Sequence, residues 1–317
     1  PSYESDGQMR RALELLDAAD VVITGSAPEW MVRRCIRKNK LVLRYAERPV
    51  KKREPWKYLP RLVRWNWRNP FWKPIYLLCA SAYTASDYAK FGMFRNRGYK
   101  WGYFPEAKRY DNIDGLLLEK ETADILWCGR FLDWKHPEDA IGAAKRLKDA
   151  GYSFRLRFIG SGGEENRLRS MVTEYGLEDC VEFLGAMRPE QVREYMEKSS
   201  VYLFTSDRNE GWGAVLNESM NSGCVPVANR RIGSAPYLIK QGENGFTYSS
   251  EAELYEKVRY LLDHEKERNE MARRAYTTII NEWNAEVAAD RLLKLSGELL
   301  SGQPVAEQRL SGPCARA

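Results

Sequence analysis

Histidine is nearly absent from this sequence: only His136 and His264 occur in 317 residues. A catalytic triad built on a histidine base, or a histidine-rich metal centre, is therefore not expected, and no metal site is assigned. The six cysteines include no Cys-x-x-Cys pair, which argues against structural zinc and dithiol chemistry. Cys79, Cys128 and Cys224 sit in or beside apolar runs, where a reduced thiol acts as a small hydrophobe. That usage points to a reducing, cytoplasmic setting. Long apolar runs are also missing. Stretches such as Ile75 to Ala80 are far too short to span a bilayer. The opening Pro1-Ser2-Tyr3-Glu4 has neither an initiator Met nor a basic start before an apolar run. No signal peptide is expected, and the chain is expected to begin partway through a longer protein. There is no internal repeat of fixed period.

What is present is a globular composition, with 44% hydrophobic and 30% charged residues. The length suits two domains. The net charge of +6 is unevenly spread. Residues 29–73 hold fifteen Lys or Arg against three Asp or Glu, a local net of +12, leaving about −6 for the rest. Such asymmetry suggests an anionic partner for one face.

From Ala123 onward, short apolar runs alternate with amphipathic stretches of helical length. Strands are expected at Ile125–Cys128, Leu156–Ile159, Val181–Leu184, Val201–Phe204, Val225–Ala228 and Phe246–Tyr248. Helices are expected near Pro137–Asp149, Glu164–Tyr175, Pro189–Lys198 and Ala214–Asn221, with later ones near 265–281 and 285–300. Continuous apolar strands between helices predict a parallel sheet covered on both faces, a doubly wound Rossmann-like domain. The first hundred residues repeat the style less cleanly, with strands expected at Val21–Thr24, Leu41–Arg44, Leu77–Ser81 and Lys100–Phe104. The fold class read here is α/β, with two Rossmann-like doubly wound domains, the N-terminal one incomplete. The assigned spans are 1–110, 111–300 with a last helix crossing back, and a disordered polar tail at 301–317.

Four loops fall at the carboxyl ends of strands, where open α/β sheets bind ligands. The first is Asp207-Arg-Asn-Glu210-Gly211-Trp212-Gly213, leading into a helix that carries Glu218. Its glycines admit a close ligand, and the start of a helix offers free N–H groups to an anion. Glu210 and Glu218 can flank one pocket and accept bonds from sugar hydroxyls. Gly129-Arg130 and Lys135 follow the first strand of that domain, and two such cations can clamp a diphosphate. Gly160-Ser161-Gly162-Gly163 is a Gly-rich turn that lacks the full dinucleotide spacing, and its expected role is to let the chain turn near a nucleotide. Arg230-Arg231-Ile232-Gly233-Ser234 forms the fourth loop. Each loop alone is also an ordinary solvated turn; their convergence on one edge carries the reading.

Together these residues resemble the retaining glycosyltransferases of family 4, which have the GT-B fold. The resemblance rests on Gly129-Arg130 with Lys135, on Glu210 and Glu218 separated by seven residues, on Asn221-Ser-Gly223-Cys-Val-Pro226, on Gly242-Glu-Asn-Gly245-Phe, and on Trp283-Asn284-Ala-Glu286. It covers about 123–300, and more faintly 20–110. It implies that Arg130 and Lys135 hold the diphosphate, that Glu218 bonds the ribose, and that Glu210 with the backbone of Gly211–Gly213 holds the donor sugar. The catalytic assignment is thus Arg130, Lys135 and Glu210. The donor-binding set is Gly129, Gly160, Gly211, Trp212, Gly213 and Glu218. The resemblance further implies transfer with retention, a UDP-sugar donor without a cofactor, a saccharide or lipid-linked acceptor, and a role in bacterial surface polysaccharide. The sequence departs from the family in lacking an early Gly-rich loop and an early histidine, in carrying Tyr237 where a Glu is usual, and in its linker Phe104-Pro105-Glu106-Ala107. The alternatives are a nucleotide-sugar epimerase or hydrolase on the same fold, or a non-catalytic nucleotide-sugar-binding subunit.

Residues 48–73 combine nine Lys or Arg and one Glu with Trp56, Trp65, Trp67 and Trp72. A helix over 59–69 would align Arg61, Arg64 and Arg68. This suits an anionic membrane surface and a peripheral location on the inner face of the membrane. The competing reading is a charged loop whose tryptophans pack in the core. Nucleic-acid binding is not expected, since no recognised module is present.

Overall fold

Parallel strands organise both halves of the computed structural model, which describes residues 5–49, 58–302 and 311–317. The chain divides into two compact units, Pro1–Gly102 with Ala288–Ala317, and Tyr103–Val287. The second unit begins at Tyr103, a few residues ahead of the expected boundary at 110/111.

The first unit runs α1 (Asp6–Ala18), β1 (Val21–Thr24), α2 (Glu29–Arg37), β2 (Leu41–Ala46), α3 (Tyr58–Arg68), β3 (Ile75–Cys79), α4 (Thr84–Ala89) and β4 (Gly98–Lys100). Its sheet has the order β1-β2-β3-β4, all parallel. Helix α1 starts at a capping box in which Ser5 and Gln8 exchange side-chain bonds with each other's N–H. One face of the sheet packs Val22, Val42 and Ile75 against Val32, Cys35 and Ile36 of α2.

The second unit runs α5 (Ile113–Glu119), β5 (Glu121–Cys128), α6 (Pro137–Asp149), β6 (Arg155–Ile159), α7 (Glu165–Glu174), β7 (Val181–Phe183), α8 (Pro189–Lys198), β8 (Ser199–Phe204), α9 (Val215–Asn221), β9 (Val225–Asn229), α10 (Ala235–Leu238), β10 (Phe246–Tyr248), α11 (Glu251–Asp263) and α12 (Glu265–Asn281). The strand order is β10-β9-β8-β5-β6-β7, a doubly wound Rossmann order with its switch point between β5 and β8. Side chains alternate between the two faces of the sheet. Ile125, Trp127, Val201 and Leu203 join the core with Ala140 and Leu168 of α6 and α7. Leu126, Tyr202 and Phe204 join the other, with Met196, Leu216 and Ile279 of α8, α9 and α12.

The final helix, α13 (Ala285–Ser301), carries the chain into the first unit, to which Ala288–Ala317 belong. Leu292, Leu295 and Leu299 recur at helical spacing and pack with Leu41, Leu43 and Leu78 on the second face of that sheet. Two expectations need correction. The strand expected at Lys100–Phe104 lies earlier, at Gly98–Lys100. The tail expected to be disordered is ordered over 311–317, whose backbone pairs with β4 through Lys100 N–H to Ala315 (2.7 Å) and Cys314 N–H to Lys100 (2.8 Å). An edge strand otherwise leaves those groups unpaired, and burial of Cys314 and Ala315 adds apolar contact. Residues 303–310 lie outside the described residues, as do Trp56 and the rest of 50–57. Among the described residues no helix is long and apolar enough to cross a membrane.

Candidate active site

The carboxyl ends of β5 and β8 open side by side at the switch point, so the loops 129–136 and 205–214 meet there. Three contacts fix them together. Thr205 Oγ1 donates to the carbonyl of Lys135 (2.6 Å) and accepts from Trp127 Nε1 (2.8 Å), and Asp207 N–H donates to the carbonyl of Trp134 (3.0 Å). The chain between β5 and α6 turns at His136, whose φ of 48° is left-handed, and Pro137 then opens α6 with its fixed φ.

This framework brings Lys135 against Glu210. Lys135 Nζ donates to Glu210 Oε2, and Ser206 Oγ donates to the same oxygen (3.0 Å). Both charged side chains are largely buried, at 14% and 12% exposure. Lys135 Nζ also lies over the rings of Trp134 (4.7 Å) and Phe204 (5.8 Å). Gly213 sits immediately beside this pair. A Cβ at Gly213 would lie 2.4 Å from Phe204 Cζ and 3.2 Å from Glu210 Cγ, and φ is +81°. Arg130 is exposed and forms no ion pair with the described residues, so its guanidinium is open to an anion.

Glu218, in the first turn of α9, lines a cavity of about 570 Å³ with Cys128, Met187, Val192, Arg193 and Val215. Burial raises its pKa, and Arg193 opposes that rise. The cavity and the Lys135–Glu210 pair are neighbours through Cys128. Burial first, and then the Glu218 charge, push the Cys128 thiol up to about 12, while Lys135 pulls it down. Tyr202, buried beneath them, donates its hydroxyl to the carbonyl of Cys128 (3.2 Å). Arg193 is itself held by Asn221 Oδ1 (2.9 Å) and the carbonyl of Glu106 (3.2 Å).

The remaining sequence-predicted residues have other placements. Gly129 and Gly160 meet each other. A Cβ on Gly160 would lie 1.8 Å from the Gly129 carbonyl oxygen, and one on Gly162 would lie 2.4 Å from that of Phe131. Bonds from Gly129 N–H to Ile159 (2.9 Å), Phe131 N–H to Ser161 (2.9 Å) and Glu164 N–H to Phe131 (3.2 Å) zip the two loops together. The glycines of this turn are thus required by close backbone approach to the neighbouring loop. Trp212 is fully buried. Its indole N–H donates to Asn217 Oδ1 (2.9 Å), and its ring packs near Trp283 and Tyr237. Its side chain therefore belongs to the core and offers no surface to a donor. Gly211 is buried beside it. In the fourth loop Ser234 Oγ donates to the Trp212 carbonyl (2.6 Å), and Arg230 pairs with Glu253. Helix α9 begins at Val215, two residues after Gly213, and is seven residues long. Thr205, Ser206 and Arg193 were not singled out from the sequence. Their available signal was position: Thr205 and Ser206 follow the last residue of a strand at the ligand-binding edge.

The family model for glycosyl transferases group 1 matches residues 109–278, more than half of the chain, and the protein belongs to that family. Among its relatives, the amylovoran biosynthesis glycosyltransferase AmsK of Erwinia amylovora is 30% identical over 127 residues, 38% of this chain and 31% of that protein. The D-inositol 3-phosphate glycosyltransferase of Acidothermus cellulolyticus is 31% identical over 142 residues, 42% of this chain and 30% of that protein. The matched segment thus spans about a third of the length of these curated relatives. Among solved structures, Anabaena Alr3699/HepE in complex with UDP superposes with a TM-score of 0.71 at 16% identity, covering 93% of this chain and 82% of that one. The fold is that of GT-B glycosyltransferases, with two parallel-sheet domains.

Proposed function

We propose that the protein transfers a sugar from a nucleotide-diphosphate sugar to a saccharide or lipid-linked saccharide, with retention of anomeric configuration. The observation that carries this reading is the buried Lys135–Glu210 pair at the switch point, set beside the cavity that holds Glu218. In this reading the cavity takes the base and ribose. Met187, Val192 and Val215 offer apolar contact to the flat base, and the Glu218 carboxylate accepts bonds from the ribose hydroxyls. Arg130 and Lys135 neutralise the diphosphate as the bond to the anomeric carbon breaks, which lowers the barrier by stabilising the leaving group. Glu210 accepts hydroxyls of the donor sugar. The acceptor oxygen attacks from the side the diphosphate leaves, and the departing phosphate takes its proton. No metal or organic cofactor enters the scheme.

UDP is the proposed nucleotide, supported by its presence in the structurally similar Anabaena protein. The naming of AmsK for amylovoran biosynthesis supports polysaccharide biosynthesis as the role, and bacterial surface polysaccharide made in the cytoplasm is the form proposed for it. Calorimetric titration with UDP, GDP, ADP and their sugar conjugates tests the proposal. Micromolar binding of UDP, weakened at least about tenfold in Glu218→Ala, is expected from the loss of charge-assisted bonds worth about 1.5–3 kcal/mol. Unchanged binding in that variant would overturn the assignment of the ribose site. Release of free sugar from UDP-sugar at the same rate with and without acceptor would favour a hydrolase.

A further inference from the structure

We propose that α3 and the turn following it dock on an anionic lipid bilayer. Leu59, Val63 and Trp67 recur every fourth residue and so share one face of α3. With Phe71 and Trp72 they form an apolar surface whose members are exposed from 61% at Val63 to 76% at Phe71. Isolated exposed apolar residues are ordinary, but five large ones within fourteen positions are not. The helix does not need this face to hold its place. It is held instead by Trp65 on the opposite side, packed on Phe91 (4.9 Å) and Tyr88 (5.7 Å), and by Asn66, whose amide donates to the Phe91 carbonyl (2.8 Å).

Cations gather around the exposed face from several elements. The Arg33 guanidinium of α2 lies 3.7 Å from the Trp67 ring. Arg95 and Arg97 share a cavity of about 320 Å³ with Phe71. Arg64 is exposed on α3 itself. Among the described residues, Glu29 beside Arg33 is already engaged, by Arg33 (4.0 Å) and Arg44 (3.3 Å). The guanidinium stripe expected at Arg61, Arg64 and Arg68 is only partly present, since the Arg68 Nε is buried. Much of the surrounding charge comes from neighbouring elements instead.

A rim of guanidinium groups around indole and phenyl rings fits the headgroup level of an anionic bilayer, where rings enter the interface and cations meet lipid phosphates. A second copy of the same face would bring these cations together, and a nucleic acid would leave Leu59 and Val63 without an apolar partner. The proposal goes beyond the transfer reaction and stands or falls without it.

Co-sedimentation of the protein with phosphatidylcholine vesicles, with and without phosphatidylglycerol, tests it. At least about tenfold stronger partition onto the anionic vesicles is expected, falling in high salt. The triple substitution Val63→Ser, Trp67→Ser, Phe71→Ser should abolish that partition while leaving circular dichroism and UDP titration unchanged. Equal partition onto neutral vesicles would overturn the proposal. So would wild-type partition of the folded triple variant, or a wild-type dimer in sedimentation velocity that the triple variant loses without any vesicle binding. UDP titration of the same preparations reads the donor site separately, so failure there would leave the vesicle result standing.

Discussion

Replacing Lys135 by alanine should weaken UDP binding far more than replacing Glu210, although the two side chains are bonded to each other. In the free protein the Lys135 charge is already compensated by Glu210. Removing Lys135 therefore takes away one cation and also leaves a mostly buried carboxylate facing the incoming diphosphate. Two unit charges about 4 Å apart interact by about 4 kcal/mol at an effective dielectric constant near 20. Remaining solvent access screens part of this, so a loss of about 2–3 kcal/mol is expected, roughly a 30- to 150-fold increase in Kd. Glu210→Ala has the opposite electrostatic sign. It releases Lys135 to the diphosphate, so UDP should bind as well as before or up to about tenfold more tightly, while transfer slows by about 100-fold or more for want of a sugar contact. The double variant should then bind UDP better than Lys135→Ala alone. Titration calorimetry with UDP on all four proteins, with steady-state transfer alongside, closes the cycle. If Glu210→Ala weakens UDP as much as Lys135→Ala does, and the double variant shows the sum, the diphosphate does not sit where this pair meets.

Other predictions use the surrounding frame. Gly160→Ala places a methyl group inside van der Waals contact of the Gly129 carbonyl and should cost more than about 3 kcal/mol in denaturant unfolding; Gly163→Ala, with nothing within 4 Å, should stay within about 0.5 kcal/mol. Burial pushes the Asp139 carboxyl up to about 6, with His136 opposing. A raised folded-state pKa means that stability is complete below the unfolded value near 3.8 and is lost as pH rises through about 6. Asp139→Asn should therefore melt higher than wild type above pH 6, by roughly 1 kcal/mol after allowing for partial exposure, and the difference should vanish in acid. Melting curves showing the same difference at both ends of that range would refute the assignment.

The second unit was largely readable in advance because parallel strands covered on both faces appear as unbroken apolar runs. Val201–Phe204 and Val225–Ala228 lie within the observed β8 and β9. Helices were less legible where their apolar stripe is sparse. Helix α11 carries Leu254, Tyr255, Val258 and Leu261 at helical spacing behind an N-cap at Ser250. The tail over 311–317 is short, and its order comes from a strand edge more than 210 positions earlier, which no local pattern reveals.

The site was legible in its residue types but not in its pairings. Lys135 and Glu210 are 75 positions apart, and only the adjacency of β5 and β8 makes them partners. The same adjacency accounts for two glycines. Gly160 and Gly162 are required because the loop carrying Arg130 and Lys135 presses against them. Trp212 sits between two glycines of the signature but supports the loop from inside the core. Glycines below, Thr205 alongside and Trp212 behind all act on loops 129–136 and 205–214. The cation and its carboxylate are thus held in place by the surrounding loops; in the proposed transfer, that preorganisation would let electrostatic stabilisation act without reorganisation.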